Sequence, residues 1–113
     1  SRLPSRLWVQ ALIRRAELGG ASAFIAARGD AERGDLAVKV ALLDGTARLY
    51  RRGYASEGER PFDDVTPEQG GEADCDAQIA RWRARDEDLW VIEIEDRQGR
   101  HFLTEMINPR ARS

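Results

Sequence analysis

LAVKVALLDGTARLYR, residues 36 to 51, is the stretch whose reading decides the fold. LAVKVALL and TARLYR alternate apolar with other residues, and Asp44-Gly45 between them is a favoured two-residue type I′ hairpin turn. That turn pairs Leu43 with Thr46, Leu42 with Ala47, Val40 with Leu49 and Val38 with Arg51. One face then collects Val38, Val40, Leu42, Ala47 and Leu49. The other carries Lys39 beside Tyr50 and Ala41 beside Arg48.

Upstream, AFIAAR (23 to 28) reads as a short strand, followed by the polar connection GDAERGD with glycine at both ends. Before it, PSRLWVQALIRRAEL (4 to 18) has proline early and Gly19-Gly20 just past its end, the usual asymmetry of a helix. Trp8, Val9, Leu12, Ile13 and Ala16 form one broad stripe on that helix, and Leu7, Ala11 and Leu18 form a second. A helix apolar over so much of its girth has more surface to bury than one core contact takes. The second stripe either packs under a loop or meets another subunit.

Downstream, residues 53 to 71 are polar and rich in turn formers, a mobile loop anchored by Phe62 and Val65. A second helix follows over Glu72 to Arg85. There Cys75, Ile79 and Trp82 lie on one stripe, and Ala73, Ala77, Ala80 and Ala84 form a thin neighbouring face suited to close approach by the sheet or the first helix. In LWVIEIED, Trp90, Ile92 and Ile94 point one way, and Val91, Glu93 and Glu95 the other. Arg97-Gln98-Gly99 suits a three-residue hairpin loop that pairs Glu95 with His101 and Ile94 with Phe102. Residues 109 to 113 read as a frayed tail. The order helix, three strands, helix, two strands predicts an α+β single domain over 1 to 113: one twisted antiparallel sheet of about five strands with both helices packed on one face.

Composition narrows the function classes. The 113 residues contain one cysteine, Cys75, so no internal disulfide and no cysteine-based zinc site is expected, which suits a reducing, cytoplasmic location. No apolar run approaches the length of a membrane span, and the start SRLPSRLW has no export-signal pattern, so an unexported protein away from membranes is expected. A formal net charge of −2 gives no global attraction to nucleic acid or anionic lipid. The 18 Lys plus Arg include a single lysine, Lys39, a bias that GC-rich coding produces without function.

LPSRLWVQALIRRAE, LAVKVALLDGTARLY and DLWVIEIEDRQGRHFL, in that order, resemble a family of small alphaproteobacterial proteins known as domain of unknown function number 1491. The resemblance implies a bacterial cytosolic protein of this length. It brings no activity, cofactor or site residue with it.

Candidate chemistry is sparse. The expected last hairpin puts Glu93, Glu95 and His101 on one face, the two glutamates about 7 Å apart and His101 across from Glu95. Two carboxylates and an imidazole suit a divalent metal, or a general acid and base in a metal-dependent hydrolase. An exposed Glu opposite a His is equally an ordinary charged hairpin edge, and that reading is preferred. Arg81, Arg85 and Arg51 would form a phosphate-binding patch for nucleic acid if they met in space, though a solvated helix face explains them as well. No phosphate-binding glycine loop, zinc ligand set or serine nucleophile motif is present. The preferred reading is a non-enzymatic binding protein without a cofactor, a homo-oligomer and in the simplest case a homodimer, using Leu7, Ala11 and Leu18.

Overall fold

The computed structural model describes residues 3 to 54, 60 to 69 and 71 to 110. Two helices and six strands are arranged as α1 (Ser5–Leu18), β1 (Ser22–Ala27), β2 (Leu36–Ala41), β3 (Ala47–Arg52), β4 (Phe62–Asp64), α2 (Glu72–Arg85), β5 (Trp90–Glu95) and β6 (Ile107–Asn108). The fold is α+β, and both helices fall where start and stop signals place them. The sheet, however, is mixed and has six strands in the order β1-β5-β2-β3-β4-β6. β5 is antiparallel to β1 but parallel to β2, and β4 is parallel to β6.

The expected five-stranded antiparallel sheet is therefore corrected. Central strands covered on both faces read as nearly continuous apolar runs. β2 is buried at all six positions, and β5 at four of six. Residues on β2 and β5 that face one way, Leu36, Val38, Val40, Trp90, Ile92 and Ile94, meet Trp8, Val9, Leu12 and Ala16 of α1. Residues facing the other way, Ala37 and Val91, meet Ile79 and Trp82 of α2. Ala47, Leu49 and Cys75 continue that second layer. The helices thus lie on opposite faces, not on one. A parallel β2-to-β5 crossover requires a connection that passes over a face of the sheet, and α2 is part of it.

The β2–β3 hairpin forms with a register one residue from the expected one. Ala41 pairs with Ala47, Val40 with Arg48, Lys39 with Leu49 and Val38 with Tyr50. The loop has three residues, not two: Leu42 N donates to Thr46 O at 3.1 Å, and Leu43 and Gly45 both take positive φ, 64° and 92°. Asp44 accepts from both the backbone N and Oγ1 of Thr46, which fixes this wider turn. The one-residue slip moves Ala47 and Leu49 to the α2 face and leaves Tyr50 on the α1 face.

Within 53 to 71, read as a loop, Phe62–Asp64 forms β4, and Phe62 and Val65 pack inward as expected. The remainder of that expectation at 55 to 59 and 70, and of the frayed tail at 111 to 113, lies outside the described residues. Ala73, Ala77, Ala80 and Ala84 do not approach the sheet or α1. They face solvent on the outer side of α2.

Two glycines allow the chain to fold tightly over the end of the sheet. A Cβ on Gly29 would lie 2.1 Å from the Asp88 carbonyl oxygen, and one on Gly34 2.3 Å from the same atom. That close approach lets Asp30 O accept the Trp90 indole N–H at 2.7 Å and lets Ser5 Oγ reach Gly34 O at 2.7 Å.

Candidate functional site

The three residues read as a possible metal or acid-base site are not brought together. β5 already has β1 on one side and β2 on the other, so no edge is left for residues 100 to 102 to pair with. Instead Asp96 turns the chain. Its backbone N donates to Ala41 O, its carboxylate accepts from the Arg100 backbone N at 2.8 Å and holds the Arg100 guanidinium, and Gly99 closes the turn at φ 72°. Glu93 and Glu95 project on the α2 face. His101 lies edge-on to Tyr50, ring centroids 5.2 Å apart, on the α1 face. The sheet separates the imidazole from the carboxylates. Among the described residues no group of three His, Cys, Asp or Glu is placed to hold a metal ion.

His101 has a different setting. Its Nδ1 accepts the backbone N–H of Leu103 at 2.9 Å, so the neutral ring carries its proton on Nε2. Burial lowers its pKa below the ordinary 6.5. The unfolded chain then binds a proton more readily than the folded one as the pH falls through 6.5, and stability is lost toward lower pH. Melting temperatures between about pH 7.5 and about pH 5 should fall further for the native protein than for His101→Asn, whose uncharged amide oxygen can still accept the Leu103 N–H. Equal slopes would remove His101 from the acid response.

The acidic residues of the α2 face converge elsewhere, on Lys39. Its side chain is only 4% exposed, and Nζ lies 2.7 Å from Asp76 Oδ1, 2.8 Å from Glu72 Oε2 and 3.4 Å from Glu93 Oε1. β2 supplies the lysine, β5 the central glutamate, and the first turns of α2 the other two carboxylates, one turn apart. Burial alone would lower the lysine pKa. The hydrogen bonds to Asp76 and Glu72 and the charge of Glu93 outweigh it and hold the pKa above its ordinary value. Burial raises the pKa of Glu93, and Lys39 pulls it partly back. An ammonium so held stays protonated and is neither a base nor a nucleophile. It occupies the space between the carboxylates and ties α2 to the two central strands.

Sequence reasoning missed this cluster. The available signal was the only lysine of the chain standing inside an otherwise apolar strand, with Glu72 and Asp76 at helical spacing.

A second buried polar group lies on the α1 face. Glu105 Oε2 accepts the Trp8 indole N–H at 2.8 Å and approaches Arg52 Nη1 at 3.5 Å, while the Arg52 guanidinium covers the Trp8 and Phe62 rings. With Arg15 Nε donating to Phe102 O, it straps residues 102 to 105 along α1. Trp8 and Trp90 are buried in the core, and the half-buried Trp82 packs against it from α2. Of the arginines considered for nucleic acid, Arg51 stacks on Trp82 at 4.6 Å and pairs with Asp35, whereas Arg81 bonds to Gln78 and Arg85 is exposed. Cys75 is buried, and burial pushes its thiol pKa up, as suits an inert side chain. Leu7 and Leu18 of the second α1 stripe are 39% and 75% exposed, with Ala11 half-buried between them.

A model of the family described as "Protein of unknown function (DUF1491)" matches residues 3–104. The crystal structure of a DUF1491 family protein from Caulobacter crescentus CB15 is 48% identical, covering 95% of this chain and 100% of that one, with a TM-score of 0.84. An NMR structure of a DUF1491 family protein from the same organism is 48% identical over 94% of this chain and 96% of that one, with a TM-score of 0.81. The solution structure of protein Atu0922 from A. tumefaciens is 32% identical, covers 98% of this chain and 100% of that one, and has a TM-score of 0.79. No curated protein matches.

Proposed function

The chain belongs to the DUF1491 family, and from that premise we propose that it is a non-enzymatic binding protein of the bacterial cytoplasm whose first partner is a second copy of itself. The observation that carries this reading is the apolar surface left open on α1, where Leu7 and Leu18 share a stripe with Ala11 and are joined by exposed Leu3 at the helix start. Apolar side chains gathered in one patch, and not scattered singly, mark contact surfaces. The relatives from Caulobacter and A. tumefaciens support a bacterial setting. No helix among the described residues is long and apolar enough to cross a membrane. Light scattering across a dilution series from about 100 to about 1 μM tests the reading, because a small interface gives a concentration-dependent mass. A dimer that dissociates on dilution is expected. A monomer throughout would overturn it.

A further inference from the structure

The two edges of the sheet are built differently, and the difference points to a contact surface. β6 ends one side with two residues, Ile107–Asn108, followed at once by Pro109, so that edge is short and lacks a donor beyond it. β1 ends the other side with six residues, SAFIAA, containing no charge and no proline. Among the described residues its only strand partner is β5. Every second backbone N–H and C=O of β1 therefore points away from the sheet, and no residue of the strand is fully buried. The register shift between Ile25 and Ala27 confines the regular part to Ser22–Ile25.

Resting on the reading of the chain as a self-associating protein, we infer that β1 pairs antiparallel with β1 of a second copy across a two-fold axis within Ser22–Ile25, joining two six-stranded sheets into one. Open backbone donors and acceptors in an extended row are complementary to another strand and to little else. The two-fold sets each side chain opposite itself or a near neighbour, so a like charge anywhere in the strand would oppose the pairing. This strand carries none. The axis stands perpendicular to the sheet and keeps the faces matched. Phe24, 44% exposed and on the face of its register partner Glu93, then meets Phe24 of the other copy on the α2 side. Pairing gives that exposed ring an aromatic partner, which none of the described residues of its own chain supplies.

Two variants and one backbone measurement test this. Phe24→Lys places two ammonium groups together at the axis without touching the core. Leu7→Glu with Leu18→Glu charges the α1 stripe instead. The expected result is a native dimer, a monomeric Phe24→Lys with an unchanged melting curve at low concentration, and a Leu7→Glu/Leu18→Glu protein that dissociates at a higher concentration than the native one but still shows the added β1 protection when dimeric. In the native protein, amide hydrogen exchange of residues 22 to 25 should slow at least about tenfold between the monomeric and dimeric ends of the dilution series. A dimer that survives Phe24→Lys, with no added protection in β1, would overturn the edge pairing while leaving self-association in place. A native monomer at every concentration would overturn both.

Discussion

Replacing Lys39 by methionine is expected to lower the stability of the fold by about 3 kcal/mol, at the low end of what removal of one partner from a buried ion pair costs. Methionine matches the length of the lysine stem and fills its channel, so the loss comes from charge. Glu72 and Asp76 are 36% and 56% exposed and can turn to water, whereas Glu93 is 17% exposed and stays beneath α2. An unpaired Glu93 then has its pKa pushed further up. A carboxyl whose folded pKa exceeds its unfolded one contributes stability below the unfolded value and loses it as pH rises, so the deficit of Lys39→Met should shrink on acidification toward about pH 5. Adding Glu93→Gln should recover about half of the loss at neutral pH by removing the buried charge. Urea midpoints of the single and double variants measure all three. A Lys39→Met midpoint equal to that of the native protein would show that the cluster is solvated and contributes nothing.

The second large effect is expected at Trp90, whose truncation to alanine should cost about 3 to 5 kcal/mol. Its indole is 1% exposed, with Arg28 over the ring. Its N–H is the donor for Asp30 O, which truncation leaves short of a partner in the tight turn made by Gly29 and Gly34. Trp90→Phe keeps most of the apolar volume and loses the donor, so it should cost about 1 to 2 kcal/mol. Against a total stability of about 5 to 15 kcal/mol for a domain of this size, the alanine variant should melt well below both the native protein and Trp90→Phe. Circular dichroism of both variants checks this. Equal melting of the two would mean that the ring volume carries no weight.

How much of this was written in the chain differs by level. Both helices were legible because Pro4, the Gly19-Gly20 pair and the apolar spacing in each are local signals. The side-chain parity of β5 was legible too: Trp90, Ile92 and Ile94 are buried as alternation predicts. What alternation cannot give is the partner of a strand. Val91 and Ala37 are apolar on the face opposite Ile92 and Val38, and that second buried face was the available sign that β5 and β2 are central neighbours with a helix on each side. The Asp44-Gly45 signal located a turn but not its length, since Leu43 takes a left-handed conformation uncommon for a branched side chain. That one residue moved Ala47 and Leu49 across the sheet. The expected grouping of Glu93, Glu95 and His101 failed for the same long-range reason: it required β5 to be an edge, and β5 has a neighbour on both sides. The Lys39 cluster joins residues from β2, β5 and α2, and it became visible only once those three elements had been placed.

The position of β5 also governs the order in which the molecule can be made. Its two neighbours, β1 and β2, leave the ribosome well before it does, and they have no contact with each other until it slides between them. During synthesis the β2–β3 hairpin and its antiparallel neighbour β4 can close from nearby residues, and the flank of β2 that will receive β5 stays open to any passing strand. Trp8 waits longer still, because its carboxylate partner Glu105 lies 97 positions later. The growing polypeptide therefore passes its period of greatest exposure to mispairing just before the sheet is completed.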